Sequence, residues 1–113
     1  PPSGCEFAQK YALTVVSEGG GVCREIEGAY CCDLLSLVMG RAKENDAFVT
    51  VMANVNTIAV AVLADVACVI LCEGIHFDAQ SLARAKQQEV CVLESGESSF
   101  AVALKLGKEL GLC

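Results

Sequence analysis

Three runs along the chain, 47–52, 67–72 and 90–93, are almost unbroken in Val, Ile, Leu, Phe, Ala and Cys, as strands covered on both faces are. Between and around them the apolar spacing changes to three and four. Leu34, Leu35, Val38, Met39 and Ala42 share one side, with Arg41, Lys43 and Glu44 on the other, which predicts an amphipathic helix. A second helix is predicted over 57–63, apolar nearly all round and so expected to be buried on several sides. A third runs from Asp78 to about Gln88. A fourth carries Phe100, Val102, Ala103, Leu106 and Leu110 on one side and is closed by Gly111. Asp33, Asn54 or Asn56, Asp78, and Ser98 or Ser99 stand where a side-chain oxygen can accept from the free N–H groups of a first helical turn. Upstream, the pattern predicts a short helix over 6–12 and extended chain over 13–16, 22–26 and 28–32. A reversal at Gly19-Gly20-Gly21 uses glycine's tolerance of positive φ.

Short buried strands alternating with helices are the signature of βαβ units, and hence of a mainly parallel sheet with helices on both faces. The N-terminal extended segments interrupt the alternation, so the sheet is expected to be mixed. The predicted fold is a three-layer α/β/α single domain over residues 1–113.

In open α/β sheets ligands sit beyond the carboxyl ends of the parallel strands, beside helix starts whose N–H groups suit an anion or phosphate. The residues that follow each strand are therefore the candidate site: Asp33 and Ser36, then Asn54, Asn56 and Thr57, then Glu73, Gly74 and His76, then Glu94, Ser95, Ser98, Ser99 and Phe100. Capping and turn duties alone account for most of them one by one. Only their convergence at one rim singles them out.

Charge narrows the ligand class. The net charge is −6, and the eight Lys and Arg are dispersed without a basic stripe or a Trp, so nucleic acid and anionic lipid are not expected partners. No apolar run approaches the roughly 18 residues of a membrane span. Pro1-Pro2-Ser3-Gly4 has neither the basic nor the apolar region of a signal peptide, so a cytoplasmic location is expected. Hydrophobic residues reach 54%, which favours a surface shared with a second copy, a homodimer.

Eight cysteines are present. Several lie inside apolar runs, where a free thiol behaves as a small hydrophobe. They are read mainly as inert core thiols, with disulfides the least favoured alternative. No Cys-x-x-Cys pair marks a metal site. Phosphate-binding, dinucleotide and nucleophile-elbow motifs are likewise missing, so no cofactor and no enzymatic activity are expected.

The segments Gly28-Ala29-Tyr30-Cys31-Cys32-Asp33-Leu34-Leu35-Ser36, Asn54-Val55-Asn56-Thr57-Ile58-Ala59-Val60-Ala61, Val69-Ile70-Leu71-Cys72-Glu73-Gly74 and Ser98-Ser99-Phe100 together resemble the stand-alone DRTGG-domain proteins. The resemblance implies a fold similar to the N-terminal domain of HPr kinase and a regulatory, ligand-sensing role without kinase chemistry. It also implies, as an alternative, an accessory role beside redox enzymes such as the hydrogenases of anaerobes. The Asp-Arg-Thr-Gly-Gly string itself is absent, and Asn54 stands where relatives often carry His.

Overall fold

A computed structural model describes residues 1–20 and 23–113. The elements run α1 (Gly4–Tyr11), β1 (Thr14–Glu18), β2 (Gly28–Cys31), α2 (Leu35–Arg41), β3 (Asp46–Thr50), α3 (Val55–Ala64), β4 (Cys68–Leu71), α4 (Ala79–Gln87), β5 (Cys91–Glu94) and α5 (Ser99–Glu109). The strands form one sheet in the order β1-β5-β4-β3-β2. From β2 to β5 all pairs are parallel, and β1 lies antiparallel on β5, so the expected mixed, mainly parallel sheet is present.

Each crossover from β2 to β5 steps to the next strand in one direction. A constant right-handed crossover then places α2, α3 and α4 on a single face. Side-chain packing agrees. Val38 of α2, Ile58, Val60 and Ala61 of α3 and Ala85 of α4 pack with Phe48, Val69, Leu71 and Val92. The alternate residues Ala47, Val49, Cys68, Ile70, Cys91 and Leu93 face Phe7 and Ala8 of α1 and Val102 and Leu106 of α5. This is the predicted three-layer α/β/α arrangement.

Several local expectations need correction. Asp33 does not cap α2; Leu34 occupies the N-cap position with no side-chain hydrogen bond. The segment over 22–26 is not a strand within its described part, which contributes only an isolated antiparallel bridge between Glu25 and Ser3. Gly19 and Gly20 do adopt positive φ, whereas Gly21 and Val22 lie outside the described residues. Helix α3 is not buried all round. Its inner side is covered by the sheet, but Val55, Val62 and Leu63 face outward, Leu63 at 67% exposure. The helices on this face form one layer only, so the apolar outer side of α3 is left uncovered by the described residues.

The thiols also divide differently. Cys68, Cys72 and Cys91 are buried, as core thiols should be, but Cys31 and Cys113 are exposed. Cys5 and Cys23 are joined as a disulfide, contrary to the sequence reading. The neighbours of a cysteine in sequence carry no sign of this approach of two segments.

Other signals hold. Asn54 caps α3 by accepting from the N–H groups of Asn56 and Thr57, Asp78 caps α4 through Ser81, and Ser98 caps α5 through Ala101. Gly111 takes positive φ just beyond α5, where Leu112 N–H donates to Gly107 O and Gly111 N–H to Lys108 O. That pair of bonds is the glycine-dependent Schellman closure.

Candidate functional site

Asp33 follows β2, and its carboxylate Oδ1 accepts from Thr50 Oγ1 at 2.8 Å and from Val51 N–H at 2.9 Å. Thr50 Oγ1 in turn accepts from Met52 N–H at 3.1 Å. Asp33 thus ties the end of β2 to the end of β3 and orders the turn that leads into α3. The next links are made by α3. Asn54 fixes its first turn, and the buried Thr57 hydroxyl donates back to Met52 O at 2.7 Å. Asn56 and Ser36 remain exposed on the same rim.

The ends of β4 and β5 are joined by their own loops. Glu73 N–H donates to Glu97 O at 2.7 Å, Gly74 N–H to Ser95 O at 3.0 Å, and Ser95 N–H to Leu71 O at 2.8 Å. Glu73 and Gly74 both have positive φ there. At this junction α4 returns over one face of the sheet and α5 over the other, so it is the topological switch point at which crevices form.

Cys72 links the two halves of the rim. Its thiol is pushed up to about 11, chiefly by burial; nearby Cys31, Glu73 and Asp33 add to the rise and the Ser99 hydroxyl opposes it. The Cys72 backbone N–H donates to Thr50 O at 3.1 Å, which ties the end of β4 to the end of β3. Sequence reasoning named Asp33, Glu73 and Ser99. It missed Thr50 and Cys72 because both lie inside apolar runs and read as strand. A hydroxyl as the last residue of β3 was the available signal.

The rim is rich in carboxylates. Glu94 Oε1 accepts from His76 Nδ1 at 2.6 Å, and Glu97 is paired with Lys105. Asp33 and Glu73 have no such cationic partner among the described residues. Three cavities lie elsewhere. One of about 290 Å³ is at the amino ends of β4 and β5 and is lined by Arg24, Asp65 and Glu89. A groove of about 240 Å³ runs between α3 and α4, and a third cavity of about 340 Å³ lies along β1. In the first, Arg24 Nη1 is 2.6 Å from Asp65 Oδ1, and that hydrogen bond lowers the Asp65 carboxyl from its ordinary value.

A family model described as the DRTGG domain matches residues 14–108. The chain belongs to the DRTGG domain family. The solved structure of the CBS and DRTGG domains of the regulatory region of Clostridium perfringens pyrophosphatase, complexed with the activator diadenosine tetraphosphate, is similar in fold, with a TM-score of 0.75 at 11% identity. The likeness covers 92% of this chain and 45% of that one, so this DRTGG domain spans less than half the length of its structural neighbour. No curated protein matches the chain. No helix among the described residues is long and apolar enough to cross a membrane, and no group of three or more His, Cys, Asp or Glu is gathered there as a metal site.

Proposed function

We propose that this DRTGG domain is a regulatory module, without catalysis of its own, that binds a nucleotide-like ligand along the carboxyl-end rim. The observation that carries this reading is the chain of hydrogen bonds along the rim, from Asp33 to Thr50 and Val51, from Cys72 to Thr50, and from Glu73 and Gly74 to Glu97 and Ser95, which brings the ends of β2, β3, β4 and β5 together. Ser36, Asn54, Asn56, Thr57, Gly74 and Ser98 belong to the same rim by position, on the loops and first turns that follow the parallel strands. Thr57, Asn54 and Ser98 spend their polar atoms on the fold itself, so they shape the site. Asp33, Ser36, Asn56 and Glu73 keep groups free to meet a ligand.

Between a simple anion and a nucleotide, the hydrogen-bond donors of the ligand decide. Asp33 and Glu73 bring negative charge to the rim of a chain already at −6, which repels any phosphate group unless other parts of the ligand offset the repulsion. Carboxylates do accept well from ribose hydroxyls and exocyclic amines, which a nucleotide offers and phosphate does not. Membership of the DRTGG family supports a regulatory role, as does a neighbour whose regulatory region was solved with a dinucleotide activator. His76, the single histidine, is engaged by Glu94 and stands 71% exposed, which gives no support to a nucleophile–base pair. An accessory role beside a redox enzyme gains no support from either comparison. Self-association through the uncovered apolar side of α3 completes the proposal, as a homodimer.

A thermal-shift series with ATP, diadenosine tetraphosphate and inorganic phosphate tests the ligand class. A ligand that binds only the folded state at one hundred times its Kd adds about 2.7 kcal/mol of stability. A rise with either nucleotide but not with phosphate is expected. No rise with any of the three at millimolar concentration contradicts the reading.

A further inference from the structure

Residues 2–4 run antiparallel to residues 24–26. Gly4 N–H donates to Arg24 O at 3.2 Å and Ile26 N–H to Pro2 O at 2.8 Å, on either side of the bridge between Ser3 and Glu25. Cys5, in the first turn of α1, and Cys23 each lie two residues beyond that bridge on their own segment. Their Cα atoms are 5.9 Å apart, inside the range a disulfide accepts. Backbone hydrogen bonds that involve no sulfur hold the two segments together, so the approach of the thiols does not depend on the S–S bond.

We propose that Cys5 and Cys23 are a reversible redox modification site, taking a small-molecule disulfide as oxidant and a dithiol as reductant. One thiolate attacks the small disulfide, breaks its S–S bond and releases one thiol, leaving a mixed disulfide on the protein. The second thiolate attacks that protein sulfur, forms the Cys5–Cys23 bond and releases the second thiol. Two electrons and two protons pass from the protein thiols to the small disulfide, and a dithiol reverses both steps.

Four of the other six thiols are disfavoured for physical reasons. Cys68, Cys72 and Cys91 are buried, and burial raises all three thiols, which keeps them protonated and unreactive. Cys31, though exposed, is also raised, by partial burial first and by Asp33 next. Cys5 and Cys23 are half-buried and already face one another. Arg24 follows Cys23 directly and pairs with Asp65 at the wall of the 290 Å³ cavity, so closing the bond pins that wall to the start of α1.

Trypsin makes the test unambiguous. It cuts after Lys10 and Arg24 and yields peptides 1–10 and 11–24 with one cysteine each. The whole protein is oxidised with glutathione disulfide, its free thiols are alkylated, and it is mapped without reductant. Peptide 1–10 linked to 11–24 is expected, and dithiothreitol should abolish the link. The oxidised protein should melt on the order of 10 °C higher than the reduced protein. That difference should vanish in the Cys5→Ser, Cys23→Ser double variant; if the variant fails to fold, the peptide map of the unaltered protein still decides. Recovery of Cys5 and Cys23 alkylated, glutathionylated or linked to other cysteines would overturn the proposal. So would a link without any change in melting.

Discussion

At Asp33 one carboxylate oxygen serves two donors on another strand, Thr50 Oγ1 and Val51 N–H. Such bonds to a charged acceptor contribute more than neutral ones, but Asp33 is exposed and water can replace them in part. Asp33→Ala is therefore expected to cost about 1–2 kcal/mol in urea denaturation, and Asp33→Asn, which retains an acceptor oxygen, less than half of that. The buried thiols give a pH signature of their own. Cys72 and Cys91 are pushed to about 11 from an ordinary 9.0, and Cys68 is raised as well, all chiefly by burial. Above pH 9 the unfolded chain loses thiol protons that the folded one keeps, so stability is full below pH 9 and falls as pH rises toward 11. Melting temperatures between pH 8 and pH 11 should show this fall, and Cys91→Ala should flatten it.

Among the elements, the legible parts were those written in short-range pattern. The runs around Val49, Ile70 and Val92 became β3, β4 and β5, because residues covered on both faces must all be apolar. The caps Asn54, Asp78 and Ser98 were legible because a capping oxygen acts two or three residues away. Asp33 misled for the same reason: it has a cap's side chain and position, yet a longer-range partner, Thr50, won it. The Cys5–Cys23 approach was invisible because it rests on pairing between segments 18 residues apart. Glycines show the same division. Gly40 lies in α2 with open space where a Cβ would go, so Gly40→Ala should stabilise by about 0.5–1 kcal/mol. Gly19 has φ +73° and approaches Cys91 so closely that a Cβ would meet its backbone nitrogen at 2.9 Å. Gly19→Ala should destabilise by about 1–3 kcal/mol, and denaturation of the two variants side by side checks both signs.

Over the whole molecule, parallel connectivity does two things at once. It stacks α2, α3 and α4 in a single layer, which leaves Val55, Val62 and Leu63 uncovered, and it brings the ends of β2, β3, β4 and β5 to one rim. The first consequence underlies the expected homodimer. Sedimentation should show a dimer that Leu63→Glu converts to a monomer with unchanged circular dichroism, because burying that carboxylate at an apolar interface is costly. The second underlies the proposed ligand site, whose strand-end residues were readable from the sequence while the hydrogen bonds that tie Asp33 to Thr50 and Glu73 to Glu97 were not. Backbone amide NMR during titration with ATP and diadenosine tetraphosphate tests that site most directly. Shifts concentrated at Asp33, Val51, Asn56, Glu73, Gly74 and Ser99 are expected. Shifts confined to the Arg24, Asp65 and Glu89 cavity, or none at saturating nucleotide, would contradict it.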